Sequence, residues 1–296
     1  MTSNEPASHV HTPQRAGQDD TCHGGRELGV QTFQAIAEIA KLEAGLDLPL
    51  GKRRMVAGRL LKRLVRLDLP SYEAYLDRLE SGDPEELRRL ISALTTNVSA
   101  FFREAAHFDY LQRKVFPELL HEARGGGRIR LWSAGCAQGQ EAFSLAMALV
   151  EVAPDAPRYD IRILATDIDR SVLRSAEFGT YHASMLKGLS AERAEAYLIP
   201  DHAREVFQVR QDLRDMVIFR PLNLHEAWPM PGRFDVILCR NVVIYFGPAE
   251  REALWPRFQD KLNPGGCLCV GHSEKVIPAA APLLEPDGHT IYRRLA

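Results

Sequence analysis

Three places in this 296-residue chain set polar or conformationally free residues directly after apolar runs that read as buried strands. Residues 128–133 lead into Ala134-Gly135-Cys136-Ala137-Gln138-Gly139, with two glycines where a strand turns into a helix and a ligand can approach the backbone. Alone, such a turn serves a nucleotide and plain α/β geometry equally well. Residues 161–166 end in Thr166-Asp167-Ile168-Asp169. Asp167 falls at the carboxyl end of a parallel strand, where a carboxylate accepts hydrogen bonds from both hydroxyls of a ribose. Asp169 reads instead as the N-cap of the next helix. Residues 235–239 run into Arg240 and Asn241, and such groups after buried apolar residues are costly unless the mouth of the sheet is a site. A cap or an ion pair is the competing role for Arg240. No Lys-Ser/Thr phosphate loop and no arginine clamp for a pyrophosphate accompanies these segments. They fit an adenosine with a small charged tail better than ATP or NAD.

Two further groups of cations carry chemistry. Arg103 follows Phe101-Phe102, and a planar cation beside buried aromatics suits a carboxylate. The phenylalanines themselves read as wedges between a helical unit and the sheet. Lys52, Arg53, Arg54, Arg59, Lys62, Arg63 and Arg66 share one helical stretch with no acid among them. Like charges at i,i+4 destabilise a helix, so this run is expected to face an acidic partner, with Arg53, Arg59, Lys62 and Arg63 as docking residues. A merely solvated face is the alternative.

The elements that must position these groups fall into two textures. Apolar residues at helical spacing mark a helix from Phe33 to about Gly45, another through Met55–Leu67, a third capped by Ser71 and a fourth opened by Asp83-Pro84. After Gly125-Gly126-Gly127 short apolar runs alternate with helices, the pattern of a doubly wound parallel sheet. The expected organisation is a disordered tail over 1–27, a helical domain over 28–95, a linker and helix over 96–127, and an α/β domain over 128–296. An antiparallel β insertion is expected at about 198–221, pairing residues 206–210 with 216–219. The five cysteines are odd in number and lack a CxxC pair, so they read as reduced thiols. Cys267 and Cys269 belong on one buried face of a strand. His9, His11, Cys22 and His23 lie in a segment without apolar periodicity, and no metal is expected. A net charge of -2 gives no global pull toward nucleic acid or anionic lipid. No apolar run is long enough to span a bilayer, so neither membrane insertion nor export is expected.

The run Ala93-Leu94-Thr95-Thr96-Asn97-Val98-Ser99-Ala100-Phe101-Phe102-Arg103-Glu104 resembles the signature of the chemotaxis receptor (methyl-accepting chemotaxis protein) glutamate O-methyltransferases. Blocks at 132–144, 165–169 and 234–246 and the run Gly271-His272-Ser273-Glu274 follow in that family's order, so the similarity extends from about Phe33 to the C-terminus. Ser99 stands where the family usually has Thr, Gln140 where it has a first glutamate, and Ala142-Phe143 where it has Pro-Tyr. The resemblance implies an S-adenosylmethionine (SAM) dependent methyltransferase domain of Rossmann-like fold, preceded by the helical domain. It implies transfer of methyl groups to glutamates on the cytoplasmic domain of chemotaxis receptors, with S-adenosylhomocysteine as product. Asn97, Ser99 and Arg103 would reach over the cofactor. Glu141 and Asp167 would hold its charged or hydroxylated parts, Asn223, Leu224, Arg240 and Asn241 would line its adenine and methionine sides, and Tyr245 would border the transfer point. On this reading Arg103 and Tyr245 are the catalytic pair. A SAM methyltransferase for another substrate and a noncatalytic SAM-binding scaffold are the rivals.

Overall fold

The computed structural model describes residues 27–296, so the proposed tail and its His9, His11, Cys22 and His23 lie outside the described residues. Four helices come first: α1 (Val30–Ala44), α2 (Arg53–Arg66), α3 (Tyr72–Glu80) and α4 (Pro84–Leu94). Local chemistry sets their ends. Gly45 closes α1 in the left-handed region, the Ser71 hydroxyl caps α3, and Asp83 accepts two backbone N–H groups at the start of α4 ahead of Pro84. Phe33, Ile36, Leu60, Leu64, Tyr75 and Leu90 form their common core.

A helix with a wide turn at its centre follows, α5 (Ala105–Tyr110) running into α6 (Phe116–Arg124). The α/β domain then alternates β1 (Ile129–Ala134), α7 (Gln140–Val152), β2 (Ile161–Asp167) and α8 (Arg170–Phe178). Next come β3 (Thr180–His182), α9 (Ala191–Tyr197), β4 (Leu198–Asp201), β5 (Val206–Val209), α10 (Gln211–Arg214) and β6 (Val217–Pro221). The chain ends with β7 (Phe234–Cys239), α11 (Pro248–Lys261), β8 (Leu262–Val270), β9 (Leu284–Gly288) and β10 (Ile291–Arg294). The main sheet has the order β6-β2-β1-β7-β8-β10-β9; β6, β2, β1, β7 and β8 run parallel, and β10 pairs antiparallel with both β8 and β9. Both faces are covered. Leu131, Val236, Leu238, Cys267 and Cys269 pack on one side, Trp132, Ile237, Cys239, Leu268 and Val270 on the other, the period-two alternation of a strand buried twice.

Three expectations change. The insertion is a three-stranded antiparallel sheet in the order β3-β5-β4, and the expected pairing of 206–210 with 216–219 does not occur. Residues 217–221 are instead the edge strand of the main sheet, parallel to β2, because the single helical turn of α10 carries the chain across between them. Phe101 and Phe102 pack with Tyr181 and Phe108 in the core of the α/β domain, not against the helical domain.

The third concerns α2. Arg63 is not a docking residue: it is buried, and its guanidinium forms a fork with Glu86, whose Oε1 also accepts the Tyr75 hydroxyl at 2.9 Å. The acid missing from α2 comes from α4, which sequence spacing does not reveal. Arg59 caps the end of α4 through the carbonyls of Leu94 (2.5 Å) and Thr95 (3.1 Å), and Arg53 binds the Leu28 carbonyl at 2.9 Å. Only Lys62 of the four is fully exposed, on a stripe shared with Arg54 and Arg66. Among the described residues, no helix is long and apolar enough to cross a membrane.

Candidate active site

The carboxyl ends of β1, β2 and β7 open into one cleft, roofed by the segment between α4 and α5 and by the last turn of α1. Asn97, Ser99, Arg103, Glu141, Asp167, Asn223, Leu224, Arg240, Asn241 and Tyr245 all line it. The place is the one topology favours, where strand order reverses direction around β1.

Its floor is the turn after β1. Gly135 has φ +86, and a Cβ there would lie 2.3 Å from Val242 Cγ2, so only glycine lets the loops after β1 and β7 approach this closely. Asp167 fastens the floor to β2, its Oδ2 accepting the Ala137 N–H (2.9 Å) and its Oδ1 the Asp169 N–H (2.9 Å). Burial pushes the Asp167 carboxyl up, and these N–H groups partly oppose that. Each oxygen retains acceptor capacity for a ribose hydroxyl. Asp169 caps α8 through Ser171, as its sequence position implies, and its other oxygen accepts the Asn97 amide at 2.8 Å. That second role was not legible from spacing, because 72 residues separate the pair.

Arg240 is the electrostatic centre of the wall. Its side chain is 2 % exposed and lies 3.1 Å from both Glu104 and Glu141, and it also donates to the Arg103 carbonyl. Glu141 takes a hydrogen bond from Ser133 at 2.6 Å; burial nevertheless pushes its carboxyl up against the pull of Arg240. Glu104 behaves oppositely. Burial raises it, but the His272 hydrogen bond and the Arg240 charge outweigh burial and hold it at about 2. The neighbouring His107 is lowered to about 4, by burial first and the Arg240 charge second.

Signs follow for acid stability. Neutral His107 contributes stability that is complete above about pH 6.5 and lost as pH falls toward 4; ionised Glu104 contributes stability complete above about 4.5 and lost toward 2. The melting temperature of the protein is therefore expected to start falling below pH 6.5. In His107→Gln that upper limb should vanish, with the curve flat between pH 6.5 and 5; parallel curves for the two proteins would exclude the assignment.

Arg103 differs from Arg240. Its guanidinium makes one hydrogen bond, to the Val98 carbonyl at 3.2 Å, and among the described residues it has no ion pair. It is half-buried at the cleft and remains free for a carboxylate. Tyr245 joins the two domains: its ring packs against the helical core, and its carbonyl accepts the Asp47 N–H at 2.8 Å. Asn223 donates to the Glu43 carbonyl at 2.7 Å from the other side of the same seam. No group of three or more His, Cys, Asp or Glu among the described residues could hold a metal ion.

Comparison with known proteins identifies the family. The family description "CheR methyltransferase, SAM binding domain" matches residues 97–285, and "CheR methyltransferase, all-alpha domain" matches residues 31–95. A probable chemotaxis protein methyltransferase of Rhizobium etli is 40% identical over 254 residues, covering 85% of this chain and 95% of the relative. The chemotaxis protein methyltransferase of Escherichia coli K12 is 39% identical over 247 residues, 82% of this chain and 83% of the relative. Chemotaxis protein methyltransferase 1 of Pseudomonas aeruginosa is 32% identical over 267 residues, covering 88% and 97%. The two family matches in the helical and α/β segments, with relatives up to 40% identical over most of the chain, place this chain in the CheR methyltransferase family, as a SAM-dependent methyltransferase of chemotaxis.

Proposed function

We propose that the protein methylates glutamate side chains on the cytoplasmic domain of chemotaxis receptors, leaving methyl esters and S-adenosylhomocysteine. One observation carries the reading: the free guanidinium of Arg103 and the ring of Tyr245 share a cleft with the ribose-type carboxylate Asp167. The donor set fits the cofactor, since Asp167 offers acceptors to hydroxyls, Glu141 an acid to an ammonium, and Arg103 a cation to a carboxylate. When bound, SAM supplies a sulfonium-activated methyl group that a carboxylate, ionised at neutral pH, takes up without a general base.

The work of the chain is then alignment and exclusion of water. Arg103 and Tyr245 orient the acceptor carboxylate, Asn97 and Ser99 cover the cleft, and Asn223, Leu224 and Asn241 line the adenine and methionine sides. Such positioning can contribute roughly 7–11 kcal/mol in favourable intramolecular cases. The reaction uses no metal, takes place in the cytoplasm and involves neither nucleic acid nor membrane insertion.

Docking is assigned to the exposed stripe Arg54, Lys62 and Arg66, whose charges have no carboxylate partner among the described residues. Methyl-labelled SAM incubated with receptor cytoplasmic fragments is expected to give base-labile label; a base-stable linkage excludes carboxyl methylation. Lys62→Glu with Arg66→Glu is expected to raise KM for the receptor about tenfold or more, with SAM affinity unchanged. An unchanged KM would make the stripe a solvated face.

A further inference from the structure

In the run Gly271-His272-Ser273-Glu274, just after β8, Glu274 has no role in the reading above. Glu274 is nevertheless buried, and its carboxylate is saturated by backbone. Oε1 accepts the N–H groups of Val242 (2.9 Å) and Ile244 (3.1 Å); Oε2 accepts those of Asn241 (3.0 Å) and Gly271 (2.6 Å). Three of these four donors belong to the loop after β7, which carries Asn241 and Val242 into the cleft and ends at Tyr245.

That loop has no regular pairing to hold it. Asn241 sits at φ +59, a left-handed conformation that a side chain adopts at a cost, and a single tight turn over Val243–Tyr245 follows. It is gripped from both sides. On one side Gly135 leaves room for Val242; on the other, a Cβ at Gly271 would lie 2.7 Å from both the Asn241 amide nitrogen and its side-chain Nδ2. Charge-assisted bonds to backbone N–H groups are about twice as strong as neutral ones, so one carboxylate fixes what the loop's own backbone cannot.

We propose that Glu274 is a positioning residue for methyl transfer, its carboxylate binding the N–H groups of Asn241, Val242 and Ile244 so that Asn241 stands along the cofactor side of the cleft and Tyr245 at the transfer point. It touches neither cofactor nor acceptor and acts through the loop. The proposal rests on the assignment of Tyr245 to the transfer point.

Glu274→Gln is nearly isosteric but replaces one acceptor oxygen by a donor that faces N–H groups. In the full-length protein this variant is expected to lower kcat for receptor methylation about a hundredfold, the scale of a 1 Å misplacement, with KM for the receptor unchanged because none of the docking residues on α2 lines the cleft. Amide exchange at Val242 and Ile244 is expected to quicken about tenfold or more. Asp235→Ala serves as the structural control. Asp235 accepts the Arg130 N–H (2.8 Å) and the Asn263 amide (2.7 Å) at the opposite end of β7, and its loss should lower the melting temperature without changing kcat. Should Glu274→Gln fail to fold, Gly271→Ala keeps the carboxyl group but crowds the clamp itself, its Cβ meeting Asn241 at 2.7 Å and Glu274 Oε2 at 2.8 Å; the same fall in kcat is expected.

Near-normal turnover in these variants, unchanged exchange at Val242 and Ile244, or an equal loss of kcat in Asp235→Ala would overturn the positioning role. Failure of the underlying reading looks different. Tyr245→Phe with normal turnover, or wild-type protein that leaves no base-labile ester on receptor fragments, removes the role of Tyr245 or the glutamate acceptor. The exchange comparison, which needs no turnover, then still decides whether Glu274 holds the loop.

Discussion

Arg240→Met is expected to destabilise the protein by about 3–5 kcal/mol, the cost of leaving a buried ionic partner uncompensated. At the size of this domain that corresponds to a fall in melting temperature of roughly 10 °C. Methionine fills much of the volume, so the effect is electrostatic rather than a cavity. It leaves Glu141 buried with only Ser133 as partner, Glu104 with its histidines, and the Arg103 carbonyl without its donor. SAM affinity should fall with it, because the same residues form the cleft wall. Arg240→Lys should recover only part of either loss, since an ammonium cannot bridge two carboxylates and a carbonyl as a planar guanidinium does. Thermal melts and calorimetric titration of SAM check both; a melting temperature within a degree or two of wild type would show that Arg240 does not hold the two carboxylates together.

Arg103→Ala should give the opposite separation of stability from activity. The guanidinium is half-exposed and has a single weak hydrogen bond, so its removal is expected to change stability by less than about 1 kcal/mol. Methyl transfer should fall about a thousandfold, the upper range for deleting one preorganised charge or donor at a reacting centre. Arg103→Lys should lie between, keeping the charge but losing the fork. Single-turnover transfer of labelled methyl, measured beside a melting curve, is the check. Turnover within a few-fold of wild type would remove Arg103 from the mechanism.

The contrast between these two arginines shows how far sequence reasoning reaches. Both follow apolar runs, and position beside buried residues together with resemblance puts both at the cleft. Nothing in the spacing says that one is absorbed between two carboxylates while the other stays free. Glu104 and Glu141 lie 136 and 99 residues before Arg240 in the chain, and only the fold brings them within 3.1 Å. The same holds for Arg63, whose Glu86 partner turned an expected docking residue into part of the helical core. Glu274 belongs to a motif just after β8, yet its carboxylate binds a loop some 30 residues earlier.

What the sequence by itself determined is whatever depends on near neighbours along the chain. Gly45, Ser71 and Asp83 end or begin helices through groups a few residues away. The apolar runs of β1, β2 and β7 declare strands buried on both faces, and the polar residues Asp167, Arg240 and Asn241 at or just past their carboxyl ends are candidates that the fold brings to one cleft. What only tertiary structure decided is which charge meets which. Edge strand β6, the three-stranded insertion, the Asp169–Asn97 bond and the carboxylate clamps on Arg240 and on the Asn241–Ile244 loop all depend on contacts across the chain. Hydrophobic burial is non-directional and shows in periodicity, whereas a buried charge needs a specific partner at about 3 Å, and that partner is chosen by the fold.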